Sequence, residues 1–144
     1  MRVLFDTTVL LDVILGRTPW EADASALLDR AALGELEGFV AAHAVTTIHY
    51  LVERARTRHV ALSAVRDLLS IVDVAAVGRE DVHRALTLGL KDFEDAVQVA
   101  AALGVGADYL VTRDAKHFRT APIEIRTPGE VLALCDTRWS RGGG

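Results

Sequence analysis

The chain is expected to fold as one α/β domain in three layers, with helices on both faces of a mainly parallel sheet of four to five strands. Two observations carry that expectation. Short apolar runs of strand length alternate along the chain with segments whose apolar residues recur at helical spacing. The first run, Val3-Leu4-Phe5, and the clearest one, inside Asp108-Tyr109-Leu110-Val111-Thr112, lack in–out alternation and end in polar residues. Parallel strands buried on both faces have this appearance.

Taken in order, the first strand ends abruptly at Asp6-Thr7-Thr8, and Val9 to Leu15 is apolar enough for a short buried helix stopped by Gly16. Thr18 is placed to cap a second helix, with Pro19 at its first position, running to Gly34. Phe39 to Ala42 is a second strand. From Thr46 the apolar period becomes helical, with Ile48, Leu51, Val52 and Ala55 on one face. Further helices are expected over Ala61–Ser70 and Arg79–Leu88, with a third strand over Val72–Val77 between them. The central helix follows from Asp92 to Leu103, closed by Gly104 and Gly106. Ile123-Glu124-Ile125 is a candidate edge strand, and Pro128 opens a last helix to about Leu134. Residues 1–137 read as a single domain, and 138–144 as a disordered tail.

Composition narrows the class. Of 144 residues, 51% are hydrophobic and 25% charged, a balance of globular rather than disordered chains. The net charge of −4 means that a nucleic-acid partner must be met by a local basic patch. A lone cysteine, Cys135, excludes an intrachain disulfide and a multi-cysteine zinc site, and suits a reducing compartment. Asp6 interrupts the first apolar run, so the N-terminus does not read as a signal peptide. No apolar run approaches the roughly 18 residues of a membrane span. A soluble cytoplasmic protein with no membrane partner is expected.

The chemistry is expected among the acids. Asp92, Glu94 and Asp95 fall within four residues at the start of the central helix, with Asp92 as N-cap and Asp95 three positions on. Asp6 and Asp114 each follow a strand, where an α/β fold gathers side chains at one edge of its sheet. Capping explains Asp92 and does not explain the whole group. Such a cluster repels itself unless a cation sits among the acids. Oxygen ligands select a hard ion, and Mg²⁺ or Mn²⁺ suits a few carboxylates with waters and a substrate phosphate. Two such ions activate a water and stabilise a leaving oxygen in phosphodiester hydrolysis.

Three blocks carry a family resemblance: Asp6-Thr7-Thr8-Val9-Leu10, Asp92-Phe93-Glu94-Asp95-Ala96, and Val111-Thr112-Arg113-Asp114 through Phe118. In this order they resemble the signature blocks of the PIN domain, and the similarity runs from Asp6 to about Ile125. The resemblance implies a PIN-like fold and a metal-dependent ribonuclease, similar to the VapC toxins of toxin–antitoxin pairs. It implies Asp6 and Asp95 as metal ligands, Asp114 as a further acid, and Thr112 as a supporting hydroxyl, joined here by Thr7. It also implies an RNA substrate, a cognate antitoxin and a homodimer. One departure stands out: where PIN domains usually offer a glutamate in the helix after the second strand, this chain has His49. Asp92, next to the central aspartate, reads as the replacement acid, with Glu53, one turn beyond His49, as the competing one.

Several residues carry plainer alternatives. Glu94 points a third of a turn from Asp95 and reads as a solvated helix-start acid. His43, His59, His83 and His117 show no paired metal spacing. Arg54, Arg56, Arg113 and Lys116 are candidate contacts to an RNA backbone, with Arg58, Lys91 and Arg119 similarly placed, and each is equally compatible with a solvated face. Phosphoryl transfer in a receiver-like or dehalogenase-like α/β domain is a second class. The latter needs an aspartate where Thr8 stands, and the former a lysine where Thr112-Arg113-Asp114 stands. A non-catalytic PIN-like scaffold binding RNA or protein is a third.

Overall fold

A computed structural model describes residues 1–142, with side chains through residue 138. Five strands form one sheet: β1 (Arg2–Phe5), β2 (Glu37–Ala41), β3 (Asp73–Ala75), β4 (Tyr109–Val111) and β5 (Glu124–Arg126). Their spatial order is β3-β2-β1-β4-β5, and all four ladders are parallel. The helices are α1 (Thr7–Ile14), α2 (Glu21–Ala32), α3 (Ala42–Ala55), α4 (Arg58–Leu69), α5 (Arg79–Ala85), α6 (Phe93–Gly104) and α7 (Pro128–Gly142), completing a three-layer α/β/α architecture.

Strand order decides where a site can form. From β1 the chain moves outward through β2 and β3, then returns to lay β4 on the other side of β1. The sheet's topological switch point therefore lies between β1 and β4. In open α/β sheets, ligands bind in the crevice at the carboxyl ends of the strands flanking this point. Register brings those two ends level, with Phe5 opposite Val111. Asp6 extends the pairing by one step, its N–H donating to the Val111 carbonyl at 2.9 Å.

As expected of a central parallel strand, Val3, Leu4 and Phe5 are all fully buried. On the neighbouring strand a Cβ at Gly38 would lie 2.9 Å from the edge of the Phe5 ring and 3.0 Å from a Val72 methyl. Glycine here lets β2 lie against a full core. Helix α6 packs against β2, β3 and β4, and its other side meets α5 through Ala85, Ala96, Val97 and Ala100. Alanines make that approach close, so α6 sits deep and its first turn reaches the sheet's carboxyl edge.

Element boundaries differ from expectation in physically readable ways. Helix α2 begins at Glu21 rather than Pro19, because residues 17–20 form a turn in which Glu21 N–H donates to the Arg17 carbonyl at 2.8 Å. Helix α3 follows β2 without a loop, starting at Ala42 instead of Thr46, with Ala44 buried beneath its first turn. Helix α4 starts at Arg58, since the Thr57 hydroxyl caps Val60 N–H at 3.1 Å. Helix α5 stops at Ala85, before the expected Leu88, and β3 is shorter than Val72–Val77.

The largest difference is at the C-terminus. Helix α7 opens with a reciprocal cap: Glu130 N–H donates to the Thr127 hydroxyl at 3.2 Å, and Thr127 N–H to the Glu130 carboxylate at 3.0 Å. It then continues past Leu134 to Gly142, so residues 138–142 are helical where a disordered tail was expected; residues 143–144 lie outside the described residues. Burial of Val131 and Cys135 and the Arg30–Asp136 ion pair at 2.6 Å fasten α7 to α2. Those are tertiary contacts, which the local apolar period does not reveal.

Overpacking the β1–β2 junction tests this core. Gly38→Ala should destabilise the protein by about 1–3 kcal/mol in denaturant unfolding, since neither Phe5 nor Val72 has open space to move into. An unchanged midpoint would show that the junction is looser than described.

Candidate active site

Asp6 occupies the N-cap position of α1, yet its side chain does not cap that helix. It turns instead into the crevice, 5% exposed, where two side chains from different elements hold it. The Thr112 hydroxyl, just past β4, donates to Oδ2 at 2.8 Å. The amide of Gln98, on α6, donates from Nε2 to Oδ1 at 3.0 Å. Burial pushes the Asp6 carboxyl above its ordinary pKa, opposed by these hydrogen bonds from Gln98 and Thr112.

Asp95, one turn before Gln98 on the same helix, joins the group through that same amide, Nε2 donating to its Oδ1 at 3.3 Å. It is half-buried, and its pKa is pushed up to about 7. Burial is the main cause, followed by the negative charges of Asp6 and Asp92; His117 opposes the shift. A carboxyl raised this far by burial and like charges marks a candidate functional position.

Asp92 caps α6 as expected, its carboxylate accepting from Asp95 N–H at 3.0 Å. Capping leaves it exposed, and it lines the same cavity as Asp95, about 510 Å³, together with Lys91, Lys116, His117 and Arg119. Asp114 is tied to the site at one remove: its N–H donates to the Thr112 hydroxyl at 3.1 Å, and its carboxylate faces His117 Nδ1 at 3.8 Å. Thr7 supports Gln98, donating to its Oε1 from both backbone and hydroxyl at 3.1 and 3.3 Å.

Other expected residues are placed elsewhere. His49 and Glu53 face each other at 3.6 Å along α3, and neither lines the cavity. Arg54 leans on Tyr50, 5.7 Å from the ring centre, and Arg56 bonds its neighbour's carbonyl. Arg113 is engaged by the protein itself. Its guanidinium donates to both oxygens of Asp12, at 2.8 and 3.4 Å, and stacks 3.8 Å from the Trp20 ring centre. Of the four proposed RNA contacts, only Lys116 lines the cavity. His43 holds the backbone of the acidic turn, its Nε2 meeting the Glu94 carbonyl at 3.1 Å.

Two buried polar residues that hold the surroundings of the acids together escaped sequence reasoning. Gln98 stands alone as a polar residue in the buried stretch Ala96–Ala102, three positions after Asp95 and therefore on its face. Asp12 is a lone acid in the apolar α1, 1% exposed and paired with Arg113 and, at 3.6 Å, Arg17. A polar residue inside an apolar helical run was the available signal for both.

The donor set can be weighed against a metal ion. Among the described residues, no three His, Cys, Asp or Glu side chains are gathered closely enough to cage one. Two carboxylates, Asp6 and Asp95, do converge, beside an open cavity bearing a third at Asp92. Mg²⁺ is characteristically held by one or two carboxylates, with water and substrate phosphate completing its octahedron. Burial, with the like charges of Asp6 and Asp92 added to it, lifts Asp95 and is the electrostatic counterpart: negative charge there lacks a full partner. The residues fit an open divalent site rather than a closed cage.

An α/β/α fold with buried Asp6 at the sheet's switch point and Asp95 facing it defines a class, and comparison assigns it. The profile of the PIN domain matches residues 2–116, and the chain belongs to that family. Ribonuclease VapC1 of Aquifex aeolicus (strain VF5) is 28% identical over 101 residues, covering 67% of this chain and 66%, just under two thirds, of that protein. Among solved structures, DNA-bound VapBC from Salmonella typhimurium superposes with a TM-score of 0.71 at 14% identity, covering 89% of this chain and 98% of that one. VapC20 of Mycobacterium tuberculosis, described as a sarcin-ricin loop cleaving toxin, superposes with a TM-score of 0.61 at 16% identity, over 75% and 86% of the two chains. At those identities the structures speak to the fold.

Asp95 makes stability depend on pH in a definite direction. Its folded-state pKa of about 7 lies above the ordinary 3.8, so the folded state holds its proton more tightly than the unfolded chain does. In EDTA, the melting temperature should therefore fall as pH rises from about 4 to about 7. Asp95→Asn should flatten that decline, leaving the variant at least as stable as wild type at pH 8. A wild-type curve that rises across this window would contradict the assignment.

Proposed function

We propose that the chain is a Mg²⁺- or Mn²⁺-dependent endoribonuclease, acting in the cytoplasm as the toxin of a toxin–antitoxin pair. The observation that carries this reading is the convergence of Asp6 and Asp95 on one amide at the sheet's switch point, with Asp95 lifted to about 7. Family membership supports nuclease chemistry, and the named relative is a ribonuclease. The VapBC complexes among the neighbours support a cognate antitoxin as partner. A homodimer belongs to the same reading.

Each residue has a role in that chemistry. Asp6 and Asp95 are the ligands that would hold the ion, with Asp92 and Asp114 as the further acids of the site. A bound divalent ion supplies an activated water and stabilises charge on the scissile phosphate. Thr112 and Gln98 fix the Asp6 carboxylate so that its oxygens are already aimed. Lys91, Lys116 and Arg119, which line the same cavity, meet the RNA backbone, giving an overall acidic protein a local basic contact. The 510 Å³ cavity is open enough for an unpaired, splayed nucleotide, the form in which RNA sequence is usually read.

Asp92, rather than Glu53, takes the place of the missing glutamate, because it lines the cavity while Glu53 faces His49 outside it. Labelled RNA should be cut in Mg²⁺ or Mn²⁺ and left whole in EDTA, with Asp95→Asn inactive. Asp92→Asn should lower cleavage at least tenfold, about 1.4 kcal/mol of transition-state stabilisation, and Glu53→Gln should keep most activity. Cleavage that persists in EDTA would overturn the metal-dependent reading. A dead Glu53→Gln beside an active Asp92→Asn would reverse the assignment of the fourth acid.

A further inference from the structure

Gln98 is the one side chain among the described residues whose hydrogen bonds reach both Asp6 and Asp95. It is 1% exposed, and both ends of its amide are used. Thr7 presents two donors to one end, its backbone N–H at 3.1 Å and its hydroxyl at 3.3 Å. A backbone N–H can only donate, so that end is the carbonyl oxygen, and the orientation of the amide follows from chemistry. The NH₂ group is thereby committed to the acids. One hydrogen serves Asp6 Oδ1 at 3.0 Å and the other Asp95 Oδ1 at 3.3 Å.

The two acids differ in how firmly their own elements hold them. Asp6 continues the β1–β4 ladder and is also gripped by Thr112. Asp95 sits in the first turn of α6, half-buried, and Gln98 is the side-chain donor on its carboxylate. We propose that Gln98 is a positioning residue for the divalent ion: it holds Asp95 against Asp6 so that one oxygen of each faces a common point. This rests on the metal-site reading above. The neutral amide also gives the metal-free protein a shared donor between two like charges, without spending a cation on the role. Carboxylate oxygens have lone pairs to spare, so the same contacts persist once an ion is bound. Partners of this kind, which touch ligands rather than metal, typically contribute 10–100-fold in metal affinity.

Mn²⁺ binding to metal-free protein, measured by calorimetry, tests the role directly, with melting temperature in EDTA followed in parallel. Gln98→Met keeps length and burial but loses both donors. It should bind Mn²⁺ about 10–100-fold more weakly than wild type. Gln98→Glu keeps the acceptor for Thr7 but sets a third carboxylate against the pair. It should melt below wild type in EDTA and gain more from Mn²⁺ than wild type gains. If both variants bind Mn²⁺ with wild-type affinity, Gln98 is a packing residue and the inference fails. If Gln98→Met does not fold, Gln98→Glu decides: a wild-type melting temperature in EDTA together with a wild-type response to Mn²⁺ overturns the role. Failure of wild type itself to bind Mn²⁺ would instead remove the metal-site reading, and this inference with it.

Discussion

The buried carboxylate of Asp6 is the constraint on which the rest of the site depends. It stands at the carboxyl end of the central strand, where burial alone disfavours its charge. Hydrogen bonds to an ionised group are worth about 1.5–3 kcal/mol each, so the donors from Thr112 and Gln98 offset part of that cost, while burial still holds the carboxyl above its ordinary pKa. Each donor comes from a different element, one after β4 and one on α6. Holding Asp6 therefore also fixes how β1, β4 and α6 meet. Replacing this arrangement by apolar packing would give a simpler core, and would leave nothing in the crevice for a cation or a phosphate.

Around that fixed acid the charges are graded. Asp6 is buried and hydrogen-bonded on both oxygens; Asp95 is half-buried, shares one donor and is lifted to about 7; Asp92 is exposed and caps a helix. Basic residues share the lining of the cavity with Asp92 and Asp95. Arginine that could have neutralised the cluster is diverted: Arg113, adjacent in sequence to both Thr112 and Asp114, is bound to Asp12 and stacked on Trp20. That clasp ties the segment after β4 to α1.

The fold was legible because its signals are local and repeated. Unalternating apolar runs marked β1 and β4, helical periods marked α3 and α6, and polar residues at the strand ends marked the working edge of the sheet. Boundaries set by tertiary contact were not legible: α7 runs past Leu134, where Cys135 is buried and Asp136 pairs with Arg30 of α2. Site residues divided in the same way. Asp6, Asp92, Asp95 and Asp114 stand out by charge and position. Gln98 carries no charge and lies in an alanine-rich run, so its meaning appears only when Thr7, Asp6 and Asp95 close around it. Arg113 showed the converse, a charge whose partner, Asp12, lay 101 residues away.

The chemistry of the crevice turns on whether Asp6 and Asp95 together form a cation site. A crystal soaked in Mn²⁺ and measured at a wavelength where manganese scatters anomalously tests this most directly. The expected result is an anomalous peak within about 2–2.5 Å of oxygens from both Asp6 and Asp95, open toward the cavity that holds Asp92 and Lys116. A crystal whose manganese lies elsewhere, or whose crevice shows no peak while Gln98 still bridges the two acids, would contradict it.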